Sequence, residues 1–85
     1  IQQFKPGKTN ELSIFPNPAT EQVMIRAQQE ILHVKISDLK GNEVFSGDFN
    51  GLKQISIPAE NFATGVYVVE VLTVNGKQVG KVVVR

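Results

Sequence analysis

From position 11 onward, apolar residues recur at every second place in short runs separated by polar, glycine- and proline-rich breaks. "QVMIRA" (22–27) places Val23 and Ile25 on one face. "ILHVKIS" (31–37) alternates most regularly, with Leu32, Val34 and Ile36 on one side and His33, Lys35 and Ser37 on the other. A period of two is that of a strand with one buried face. "ELSIF" (11–15) reads as a further strand, stopped by "PNPAT", because Pro16 and Pro18 cannot donate to a ladder. "GVYVVEV" (65–71) is the most apolar stretch in the chain.

Three dipeptides that tolerate positive φ stand between such runs: Gly41-Asn42, Asn50-Gly51 and Asn75-Gly76. Read as hairpin turns, they delimit strands near 43–49, 53–57, 66–74 and 77–85. The pattern predicts an all-β fold, an immunoglobulin-like antiparallel β-sandwich of about seven strands over residues 11–85. "PAENFATG" (58–65) is the one candidate for a helical turn. Ile1 to Asn10 is polar, holds Pro6 and Gly7, and reads as a linker or N-terminal tail.

Composition narrows the function classes. A chain of 85 residues holds one domain, and folding buries only roughly 60–65% of the surface it exposes when unfolded. Apolar residues make up 41% and charged residues 20%, which excludes disordered, collagen-like and coiled-coil classes. The net charge of +1 comes from interspersed charges, so no phosphate-tracking surface and no nucleic-acid partner is expected. Cysteine is absent, removing disulfides and thiolate chemistry. The start at Ile1, without a methionine or a secretory signal, suggests a piece of a longer protein, excised or processed.

Catalytic chemistry finds little support in this pattern. His33 is the single histidine and falls on the polar face of its strand, where a solvated residue is expected and no triad can be built. The carboxylates Glu11, Glu21, Glu30, Asp38, Glu43, Asp48, Glu60 and Glu70 are scattered, without glycosidase or calcium-loop spacing. Asp38, beside the Gly41 turn, reads as a turn-stabilising side chain rather than a ligand. The expectation is a non-enzyme with no cofactor and no metal.

Four segments in order carry a resemblance. "IFPNPATEQVMI" (14–25), "VKISDLKGNEVFSG" (34–47), "IPAENFATGVYVVEV" (57–71) and "GKQVGKVVVR" (76–85) resemble the C-terminal sorting domain of type IX secretion cargo, in its type A form, known from Bacteroidetes. The motif residues that match are Pro16, Asn17, Pro18, Asp38, Gly41, Gly65 and Tyr67. Phe62 stands where the family has leucine, and Val83 or Val84 where its last strand has an aromatic residue. The resemblance implies a folded signal on an N-terminal parent protein. It also implies transit through the periplasm, passage across the outer membrane by the secretion machinery, and removal by a cell-surface sortase cutting within or before residues 1–10. The parent would end at the cell surface or in the medium.

The terminal run Gly80, Lys81, Val82, Val83, Val84 and Arg85 is the candidate for recognition by that machinery. Tyr67, Val69 and Val71 should face inward, with Val66, Val68, Glu70 and Leu72 opposite. The two last strands would then present a semi-apolar surface with a basic end, suited to the machinery or to self-association. Gly65 is expected to hold a backbone geometry closed to other residues. A rival class is an accessory module of a secreted hydrolase, binding carbohydrate or spacing domains. The aromatic residues Phe4, Phe15, Phe45, Phe49, Phe62 and Tyr67 are scattered, which favours sorting. A structural cap on the parent protein is compatible with either.

Overall fold

The computed structural model describes residues 12–85; the expected tail 1–10 and Glu11 lie outside the described residues. Five strands follow one another: β1 (Leu12–Phe15), β2 (Gln22–Asp38), β3 (Glu43–Pro58), β4 (Gly65–Thr73) and β5 (Gly76–Val84). All strand pairings are antiparallel, with β2 at the centre contacting β1, β3 and β4, and β5 on the far side of β4.

The expectation of about seven strands is corrected to five because two of the anticipated breaks are not breaks. β2 runs through 28–30 and β3 runs through Asn50-Gly51. The first part of β2 (22–27) pairs with β1 and with 54–58 of β3, whereas its second part (31–38) pairs with 43–52 of β3 and with β4. The long β2–β3 hairpin therefore contributes to two layers and turns the corner between them where its register shifts, between Arg26 and Ile31. Gly51 does adopt positive φ (81°), but at this corner rather than at a chain reversal.

A second irregularity changes which residues reach the core. On β2, Ile31 and His33 oppose Thr73 and Leu72, which are adjacent on β4, so Leu32 is an extra residue in a β-bulge. Ile31 takes the inward place at 0% exposure, and Leu32, expected inside, is 38% exposed. Val34 and Ile36 point inward as the alternation predicts.

The core is built mainly from valine and isoleucine, β-branched residues that pack well on a pleated surface, with Ala19, Ala27, Ala59 and Tyr67 among them. Val23, Ile25 and Ile57 from one layer meet Val34, Ile36, Val69, Val71, Val82 and Val84 from the other. The connection 59–64 closes as a turn, with the Phe62 N–H donating to the Ala59 carbonyl (3.0 Å), and no helix forms there.

Candidate recognition surface

The terminal strand holds the candidate residues at alternating depths. Val82 and Val84 are buried, Val83 is half-buried, and Lys81 and Arg85 are exposed. Gly80 faces inward beneath β1: a Cβ built there would sit 2.6 Å from Ile14 Cδ1 and 3.4 Å from Leu12 Cδ2. A side chain at 80 would therefore force the end of the Ile14 side chain aside, and a larger one would also press on Leu12.

The proline motif and the terminal strand, far apart in sequence, form one structure. The Asn17 side-chain carbonyl accepts the Val83 N–H (3.0 Å), the Ala19 N–H donates to the Val83 carbonyl (2.7 Å), and the Arg85 N–H donates to the Ala19 carbonyl (2.8 Å). Ala19 runs parallel to Val84 and is fully buried. Pro16 and Pro18 are exposed and frame Asn17, each with a cis peptide bond before it. Segment 17–19 thus covers the outer edge of the last part of β5 and satisfies backbone groups that an edge strand leaves open.

Asp38 holds the β2–β3 turn. Its Oδ1 accepts the N–H groups of Lys40 (2.9 Å) and Asn42 (2.8 Å), and its Oδ2 accepts the Asn42 side-chain amide (3.1 Å). Gly41, at φ 92°, completes the loop. The hydrogen bond from the Asn42 backbone is the largest influence; desolvation opposes it, and the Asn42 side chain, the Lys40 N–H and the Lys40 charge add to it, so that this carboxyl is held below its ordinary value. A depressed folded-state pKa means the unfolded chain takes up the proton first as pH falls. The contribution of Asp38 is complete above about pH 4 and is lost as pH drops through the folded value. Asp38→Asn is expected to flatten the acid limb of a Tm-against-pH curve below about pH 4; an unchanged limb would assign the acid sensitivity to other carboxylates.

Tyr67 is buried, its ring 5.4 Å from that of Phe62, and its hydroxyl donates to the Ala63 carbonyl. The side chain anchors the 59–64 connection, much as a tyrosine corner anchors other β-sandwiches. Gly65 corrects the expectation placed on it: its φ is not positive, and nothing lies within 4 Å of a Cβ added there. No backbone requirement accounts for glycine at this position.

On the outer face of the second layer, Val66 (37%), Leu72 (43%) and Val79 (59%) are exposed and Val68 and Val83 are half-exposed, between Lys77, Lys81 and Arg85. The semi-apolar surface with a basic end is present. Beside it, His33 Nδ1 lies 2.6 Å from Asp48 Oδ1, and Ser46 Oγ lies 3.2 Å from His33 Nε2. Sequence reading missed this cross-strand chain, because its register depends on the Leu32 bulge. The connectivity is that of a nucleophile, base and orienting acid. It stands on an open strand face, however, with Asp48 89% exposed, where such pairs contribute little. Among the described residues, no group of His, Cys, Asp and Glu is arranged to hold a metal ion.

Comparison with known proteins places the chain. A crystal structure of a DUF3244 family protein with an immunoglobulin-like β-sandwich fold, from Bacteroides vulgatus ATCC 8482, superposes with a TM-score of 0.69 at 18% identity, covering 85% of this chain and 82% of that one. At that identity the likeness establishes the fold. No curated protein matches the chain. Residues 13–85 match the family described as the secretion system C-terminal sorting domain, which takes in the proline motif, the Asp38 turn, the Tyr67 strand and the terminal strand together. The chain belongs to that family, the C-terminal sorting domains of type IX secretion.

Proposed function

We propose that the folded sandwich, rather than a linear tail, is what the type IX machinery reads when it exports the parent protein from the periplasm. The observation that carries this is the joining of segment 17–19 to 83–85: the terminal residues acquire a defined shape only when the rest of the domain is in place. Lys81, Val83 and Arg85 are then displayed from a fixed strand, while Gly80, Val82 and Val84 hold that strand to the body. The type A assignment, and removal of the domain by a cell-surface sortase cutting within or before 1–10, extend the same reading. The semi-apolar face meets the machinery.

The carbohydrate-binding alternative lacks a platform. Phe15, Phe45, Phe49 and Phe62 are half-buried and Tyr67 is buried, so the described residues present no exposed aromatic ring for a sugar to stack on.

The test is export of a periplasm-directed fluorescent reporter fused ahead of residues 1–85. In a type IX-competent host the reporter is expected at the surface or in the medium; in the same host without the secretion apparatus it is expected in the periplasm. Periplasmic retention in both hosts, with the domain folded, would defeat the sorting reading for this chain.

A further inference from the structure

The strap formed by residues 17–19 covers only the end of the β5 edge. Val83 turns its N–H and carbonyl away from β4 to meet Asn17 and Ala19. The β4–β5 register carries no shift from Gly76 to Val84. Alternation along the strand therefore aims the backbone N–H and carbonyl of Lys81, Val79 and Lys77 at the same open side. Among the described residues no loop or strand bonds them. Their side chains share the outer face: Lys77 and Lys81 are exposed, and Val79 between them is 59% exposed. Glu70 comes within 3.9 Å of Lys77, at the limit of an ion pair and with the lysine side chain 61% exposed, so the ammonium stays available.

We infer that the edge of β5 from Lys77 to Lys81 is a strand-addition site for an extended segment of a partner protein that places an acidic residue opposite each lysine and an apolar residue opposite Val79. The inference rests on the sorting reading and specifies the partner of that same strand. Backbone bonds from an added strand supply affinity without sequence preference, and the alternating side chains supply selection. A second copy of the chain fits poorly. Antiparallel pairing centred on Val79 sets Lys77 of each copy across from Lys81 of the other, and like charges directly opposite are destabilising. Lysines on an exposed edge are a known guard against self-pairing. Here they leave the edge open to a segment of the opposite charge.

Two variants of the reporter fusion separate the components. Val79→Pro keeps both lysines and removes one outward N–H from an edge where proline is tolerated. Lys77→Glu/Lys81→Glu keeps the backbone and reverses the charges. Each is expected to melt near the wild-type temperature and to lower surface reporter at least about tenfold, the loss that 1.4 kcal/mol of binding produces. If Val79→Pro fails to fold, the charge reversal decides. Wild-type and folded variants exported alike would overturn the edge site and leave sorting intact; a wild-type fusion held in the periplasm would overturn both. With the unfused chain, the heptapeptide Thr-Glu-Thr-Val-Thr-Glu-Thr is expected to slow amide exchange at Lys77, Val79 and Lys81. Its lysine counterpart is expected to leave them unchanged. Equal effects of the two peptides, no effect of either, or slowed exchange on self-association without peptide would each overturn the inference.

Discussion

A chain ending at Gly80 is expected to lose both its cooperative unfolding transition and its ability to carry a reporter out of the cell. Removing Lys81 to Arg85 takes Val82 and Val84 out of the core, each fully buried and worth roughly 1.5–3 kcal/mol. It also ends the pairing of β5 with Gly65 to Val68, and it strands the backbone N–H and carbonyl of Ala19, at about 1–3 kcal/mol for each buried group left unpaired. An 85-residue domain has on the order of 4–13 kcal/mol in all, so these losses consume most of it. Truncation alone thus confuses loss of a signal with loss of a fold. The companion variant Lys81→Ala/Arg85→Ala touches only exposed side chains and is expected to melt within about 4 °C of wild type. If it folds yet stays in the periplasm, the basic end of the strand is read directly. If it is exported normally while the truncation is not, the terminal residues act by completing the sandwich.

Gly80→Val is expected to lower stability by about 1–3 kcal/mol, the usual range for overpacking, and Tm by roughly 5–20 °C for a domain of this size. The Cβ position already lies 2.6 Å from Ile14 Cδ1, and the two methyl groups of valine extend further toward Ile14 Cγ1 and Leu12. Gly80→Ala is expected to cost less, because the end of the Ile14 side chain can turn aside. Ile14→Ala in the Gly80→Val background is expected to restore more than half of the lost Tm. A double-mutant cycle by thermal unfolding measures that coupling. Additive effects would show that β1 does not rest on Gly80.

Much of the fold is legible along the chain because burial on a strand has a period of two, and that period survives in β4 and β5 residue by residue: Tyr67, Val69 and Val71 are inside, and Val82 and Val84 join them. What local pattern cannot carry is register. Leu32 and Ile31 are equally apolar, and only their partners on β4 decide that one bulges outward and the other enters the core. Asn50-Gly51 illustrates the same limit. Positive φ at Gly51 was predictable, but a glycine that lets a strand bend and one that lets a chain reverse look identical in sequence. The Asp38 turn is legible because all its hydrogen bonds are made within four residues. The bond from Val83 to Asn17 spans 66 positions, and nothing near either residue announces the other. Gly65 is the converse case, a motif residue whose surroundings would accept a side chain.

The contact between segment 17–19 and 83–85 is parallel, and this governs how the domain bears load. Tension between a cargo on the N-terminal side of β1 and a grip on the C-terminal strand pulls these two segments in opposite directions along their own length. The hydrogen bonds from Val83 to Asn17, Ala19 to Val83 and Arg85 to Ala19 then stretch together instead of opening in turn like a zipper. A transporter hauling on the terminal strand would find a handle that transmits force to its cargo before it unravels.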